Sequence, residues 1–123
     1  MGLSAVLTPW AREHRLSLTP EQLLEVYAEC EAQAVQRTPA ALYPDILAAG
    51  MRAVGERLGV AVDDDQARRL AVSVPDWPAF PDSAAALAAL SQRYKLLILS
   101  NVDRASFAAS NARLGQALLR FAR

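Results

Sequence analysis

The chain has one cysteine and one histidine among its 123 residues. A single thiol, Cys30, excludes an intramolecular disulfide and any cysteine-rich metal site. On a helical apolar face it is expected to be a small buried hydrophobe. His14 stands between Glu13 and Arg15 with no Ser or Cys partner at a recognisable spacing, so a surface position is expected for it and not the role of a base. An excess of one charge is missing as well: 13 Lys and Arg against 13 Asp and Glu leave a net charge of +0. That balance provides no electrostatic footprint for nucleic acid or an anionic membrane face, and neither is expected as a partner. No apolar segment approaches the ~20 residues of a membrane span. The opening MGLSAVLTPWAREHR lacks the basic start and long apolar core of a secretion signal, so a cytoplasmic location is expected. Aromatics make up only 7% of the residues, and the apolar 53% comes mainly from Ala, Leu and Val. This is a globular composition at about the length of one domain.

The first half reads as helix throughout. Leu3, Val6 or Leu7, and Trp10 fall at helical spacing, with Pro9 inside the pattern as a kink or, after Thr8 as cap, a new start. In LTPEQLLEVYAECEAQAVQ, Thr19 is placed as N-cap, Pro20 at the first helical position and Gln22 at the third, the reciprocal capping arrangement. Leu23, Tyr27, Cys30 and Ala34 then form one stripe. Leu47, Met51, Val54 and Leu58 make the face of a third helix, which Gly59 can close in the left-handed conformation. Asp63 caps a fourth over DDDQARRLAVS, where acidic residues suit the positive end of the helix dipole.

The character changes at VPDWPAFPDS, whose three prolines predict a stiff extended connector without regular structure. Beyond it, Asp82 is expected to cap a helix carrying Leu87, Leu90 and Tyr94. KLLILS follows as a continuous apolar run, the pattern of a parallel strand buried on both faces. DRASFAASNARLG is a further helix, capped by Asp103 and closed at Gly115, and QALLRFAR extends it with Leu118, Leu119 and Phe121 as cover. The organisation expected is a helical part over 1–73, a Pro-rich connector over 74–82 and a helix-strand-helix fragment of an α/β core over 83–123.

Ser100 and Asn101 end the predicted strand. In open α/β sheets ligands bind beyond the carboxyl ends of the strands, beside helix N-termini. A serine hydroxyl, an asparagine amide and the first N–H groups of the next helix can converge on one carboxylate or phosphate oxygen. The same two residues are also ordinary turn formers, so capping the turn is the alternative use.

SVPDWPAFPDSAAALAALSQRYKLLILSNVDRASFAASNARLG, Ser73 to Gly115, resembles the middle of haloacid dehalogenase superfamily hydrolases, especially the type II 2-haloacid dehalogenase-like group. There a Pro-rich return from a helical cap leads through a helix to a strand that ends in the second signature motif, Ser or Thr often followed by Asn. Ser100 and Asn101 match that motif, and the helical half from about Leu3 resembles the group's four-helix cap. The fold implied is α/β of haloacid dehalogenase-like type but incomplete: a helical cap plus part of a Rossmann-like core, so mostly α in this chain. The chemistry implied is hydrolysis of a carbon-halogen or phosphate ester bond through an aspartyl ester. Ser100 and Asn101 would bind the small anionic substrate in complete relatives.

No residue matches that family's nucleophilic aspartate, its third-motif lysine or its fourth, acidic motif, so the chain is expected to be a fragment without independent catalysis. VAVDDD, Val60 to Asp65, imitates an apolar strand followed by D-x-D, but its apolar run is short and it lies between helices. Capping explains its carboxylates. Lys95 begins the strand at the end opposite Ser100 and does not supply the missing lysine. Register puts Glu29 or Cys30 at the place of the dehalogenases' cap arginine, with Arg37 the nearest arginine. Tyr27, Trp77 and Phe80 are pocket aromatics on one reading and packing residues on the other. No cofactor or metal is expected; Mg²⁺ belongs only to complete phosphatase-type relatives. Two alternatives remain: a non-enzymatic helical interaction module, or one half of a split hydrolase. Both imply a partner, either a second copy in a homodimer or a complementing chain.

Overall fold

The structure is a computed structural model that describes residues 2–100, 102–114 and, as backbone, 120–122. It is mostly helical and divides into two compact units, Met1–Ser73 and Val74–Arg123.

The first unit holds α1 (Gly2–Glu13), α2 (Pro20–Arg37), α3 (Tyr43–Leu58) and α4 (Asp64–Ala71). Pro9 lies inside α1 and neither ends nor restarts it, the helix running on to Glu13. The helix instead ends where Arg15 takes a left-handed φ of 53° and Leu16 N–H donates to Ala11 O. At the start of α2, Thr19 Oγ1 accepts from Gln22 N–H at 3.2 Å while Gln22 Oε1 accepts from Thr19 N–H at 2.9 Å. Asp63 and Gln66 repeat this box at α4, so two helix starts are fixed by side chains three residues apart. Leu23, Tyr27, Cys30 and Ala34 of α2 are all buried, and so are Leu47, Met51 and Val54 of α3. Leu58, at the end of that face, is half-buried. Since α3 packs on both α2 and α4, it is the central helix of this core. Leu7 and Trp10 of α1 and Leu70 of α4 complete it.

The second unit opens with a single 3-10 turn over Val74–Asp76, which Pro75 within it does not prevent. α5 (Ser83–Ser91) follows, but Asp82 is in the helical region at φ −94° and makes no side-chain cap. The stripe expected on α5 is not covered either. Leu87 is half-buried and Leu90 exposed, as is Tyr94 just past the helix. β1 is only Leu97–Leu99, and it pairs in parallel with β2 (Arg120–Ala122), Ile98 opposite Phe121. The parallel character matches the apolar run, but burial on both faces does not. Leu97 is 65% and Leu99 84% exposed, because a parallel strand is buried by layers on both faces and, among the described residues, no helix of the unit packs closely on this one. Residues 120–122 are strand where a helical extension was expected; Gly115, Leu118 and Leu119 lie outside the described residues. α6 (Arg104–Arg113) packs on the Val74–Asp76 turn, and Arg113 faces Asp76 at 3.6 Å.

Candidate functional site

Ser100 stands immediately after β1, at the carboxyl end of a parallel strand and four residues before α6 begins. It is half-buried. Its Oγ accepts from Val102 N–H at 3.2 Å, which is the turn-forming use of a serine. A hydroxyl that accepts still has its own proton to donate, and among the described residues that proton has no acceptor. Asn101, the second residue of the expected corner, lies outside the described residues.

The helix N-terminus beside Ser100 is not free. Asp103 Oδ1 accepts from Ala105 N–H and Ser106 N–H, each at 3.0 Å, and its other carboxylate oxygen accepts from the Ser106 hydroxyl at 2.6 Å. The donors expected to converge on a substrate oxygen are therefore engaged by a carboxylate of the chain itself. This changes the chemistry available: one hydroxyl proton from Ser100, next to a fixed negative charge. The Asp103-to-Ser106 spacing was visible in the sequence as a cap followed three residues later by a hydroxyl, though only Asp103 attracts notice on a capping argument.

Partial burial pushes the Asp103 carboxyl up, but the hydrogen bonds from Ser106 and Ala105 outweigh it and hold it below the ordinary aspartate range. The folded value being the lower one, the bound carboxylate stabilises α6 fully above the ordinary aspartate range. That contribution is lost as pH falls through the folded value. Asp103→Ala is accordingly expected to cost about 1 kcal/mol at neutral pH, the usual worth of an N-cap. Denaturant melts across the acid range should show the wild type converging on the variant at low pH; parallel curves would contradict the assignment.

The remaining expected residues are dispersed. Asp63 caps α4, and Asp64 pairs with Arg52 at 2.6 Å, so the VAVDDD carboxylates serve the helix start as expected. Among the described residues no group of three or more His, Cys, Asp or Glu side chains is arranged to hold a metal ion. Lys95 is exposed, two residues before β1 and at the end away from Ser100. Tyr27 is core, only 1% exposed, while Phe80 is exposed and Trp77 half-buried. Glu29 is ion-paired with Arg57, and Arg37 lies on the same polar groove between α2 and α3, above the buried Cys30.

His14 is not the free surface residue expected. It is half-buried, its ring lies 5.3 Å from that of Trp10, and its Nε2 is 3.5 Å from Gln66 Nε2. Gln66 Oε1 is committed to Asp63 N–H, which leaves the amide nitrogen facing the histidine.

Two further features escape a reading by motif. Tyr27, Glu31 and Tyr43 form a polar cluster at the start of α3. Burial raises the Glu31 carboxyl against the lowering effect of its hydrogen bond with Tyr43. Burial, then the charge of Glu31, pushes both phenols up. The Tyr27 hydroxyl is buried and has no hydrogen-bond partner among the described residues. The second feature is a cavity of about 240 Å³ lined by Trp10 and Glu13 of α1, Met51 of α3, and Gln66 and Arg69 of α4. The i,i+4 spacing of Tyr27 and Glu31 was available as a signal for the cluster; nothing local announces the cavity, whose walls come from three helices. Compared with known proteins, the chain matches no family model and no curated protein.

Proposed function

We propose that the chain carries the cap and the second-motif segment of a haloacid dehalogenase-like hydrolase. The observation that carries this reading is the parallel pairing of β1, with Ser100 just beyond its carboxyl end and no acceptor for its hydroxyl proton among the described residues. The order of elements supports it too: four helices, a proline-rich return, a helix, a strand, the Ser-Asn pair and a capped helix. In that role the Ser100 hydroxyl, with Asn101, holds the anionic group of a haloacid or phosphate ester and stabilises charge developing in the transition state. Asp103 limits the corner to one oxygen at a time by occupying the helix N–H groups beside it. The bond-breaking step belongs to an aspartate nucleophile that none of these residues supplies, so the chain by itself turns nothing over.

The second reading is a module completed by another chain, either as a helical interaction partner or as one half of a split hydrolase. The exposed Leu97 and Leu99 on β1 favour it, since a parallel strand is ordinarily covered on both faces.

The purified chain is expected to show no turnover of 2-chloropropionate or p-nitrophenyl phosphate. Turnover above blank that disappears in Ser100→Ala would overturn the inactive reading. The DNA immediately upstream is expected to encode an apolar strand ending in an aspartate motif, and that downstream a lysine and an acidic motif. Unrelated sequence on both sides would overturn the family assignment and leave the independent module.

A further inference from the structure

We propose that the cavity formed by α1, α3 and α4 binds a small zwitterion with an apolar side chain, of the class of a free α-amino acid such as leucine. The inference does not rest on the hydrolase reading, because none of the cavity residues belongs to the Ser100 corner.

The floor is apolar, made by Val6, Pro9, Trp10 and Met51, and Trp10 and Met51 are themselves held in the core at 5% and 1% exposure. At the rim stand one carboxylate, Glu13, and one guanidinium, Arg69, both exposed. They do not pair with each other, nor does either have a charged partner among the described residues. Opposite charges that face one cavity without closing on each other leave room for a group that carries both. An anion alone would meet Glu13 and a cation alone Arg69, whereas a ligand with a carboxylate and an ammonium on one carbon satisfies the two together. Gln66 is a wall and not a ligand, since its amide is already spent on Asp63 and His14. Size points the same way. The volume of about 240 Å³ falls below the range of roughly 300 to 1,000 Å³ typical of drug-sized sites, which leaves space for an amino acid and little more.

Both charges are solvent-exposed, so affinity is expected to be modest, with Kd on the order of 1 mM. The test uses the full chain with Trp77→Phe, which leaves Trp10 as the only one of the two tryptophans. Titration with L-leucine should change the Trp10 emission saturably. N-acetyl-leucine lacks the ammonium and leucinamide the carboxylate, and each should bind at least about tenfold more weakly. Glu13→Gln should abolish the discrimination against N-acetyl-leucine and Arg69→Gln that against leucinamide, with the far-UV circular dichroism unchanged because both side chains are exposed. No saturable response to leucine, or an equal response to all three compounds in the unsubstituted site, would overturn the proposal without touching the hydrolase reading.

Discussion

Leu47→Ala is expected to remove most of the stability of the first unit. Leu47 is 0% exposed on α3, the helix that packs on both α2 and α4, so the lost side chain leaves a cavity bounded by several helices. A truncation of this kind costs about 3 to 5 kcal/mol when the surroundings cannot collapse into the space. At about 0.05 to 0.15 kcal/mol per residue, a helical unit of this length has roughly 4 to 11 kcal/mol in total. Loss of most of the helical circular dichroism near room temperature, or a large drop in the guanidinium midpoint, is the expected result. A midpoint within experimental error of the wild type would mean that Leu47 is not the centre of this core.

The second large effect is at a glycine. Gly55 lies in the last part of α3, where the chain turns at Gly59 and returns over the helix, with Val60 N–H donating to Gly55 O at 2.8 Å. A Cβ on residue 55 would stand 2.4 Å from Val62 Cγ2 and 2.6 Å from the Val60 carbonyl oxygen. Alanine is the better helix former by about 1 kcal/mol, which taken alone would stabilise α3. The clash outweighs that gain because one of the two atoms is backbone, tied to Gly55 itself by the hydrogen bond. Gly55→Ala is therefore expected to destabilise by a net amount of about 2 to 3 kcal/mol. Gly59→Ala is the control. It meets no atom within 4 Å but must hold φ at +70°, and a left-handed conformation costs an L-residue roughly 1 to 2 kcal/mol. Thermal melts of the two variants should rank Gly55→Ala as the more damaging; the reverse order would show that the return over α3 is loose.

The contrast between these glycines shows where local reading stops. Gly59 was legible because a glycine after the last apolar position of a helix is itself a stop signal. Gly55 was not, because the need for it comes from Val60 and Val62 folding back onto the helix. The same division runs through the candidate site. Ser100 at the end of an apolar run could be placed from sequence, and the parallel pairing of β1 agrees with that placement. What occupies the neighbouring N–H groups was misjudged, although Asp103 was already identified as a cap. A capping carboxylate satisfies the donors that would otherwise be available to a ligand, and the Ser106 hydroxyl fixes it in place.

Sequence alone determined the helices of the first unit, the capping box of Thr19 and Gln22, the cap at Asp63 and the stripes of α2 and α3. Each depends on residues three or four positions apart, within reach of one another as soon as a single turn forms. It also determined the serine at the strand end. Only the tertiary structure decided that KLLILS shortens to a three-residue strand with Leu97 and Leu99 exposed, that His14 lies against Trp10 and Gln66, and that Glu13 and Arg69 face one cavity without pairing. Those outcomes depend on which distant segments meet, and burial, pairing and cavities are properties of such meetings that no window of neighbouring residues contains.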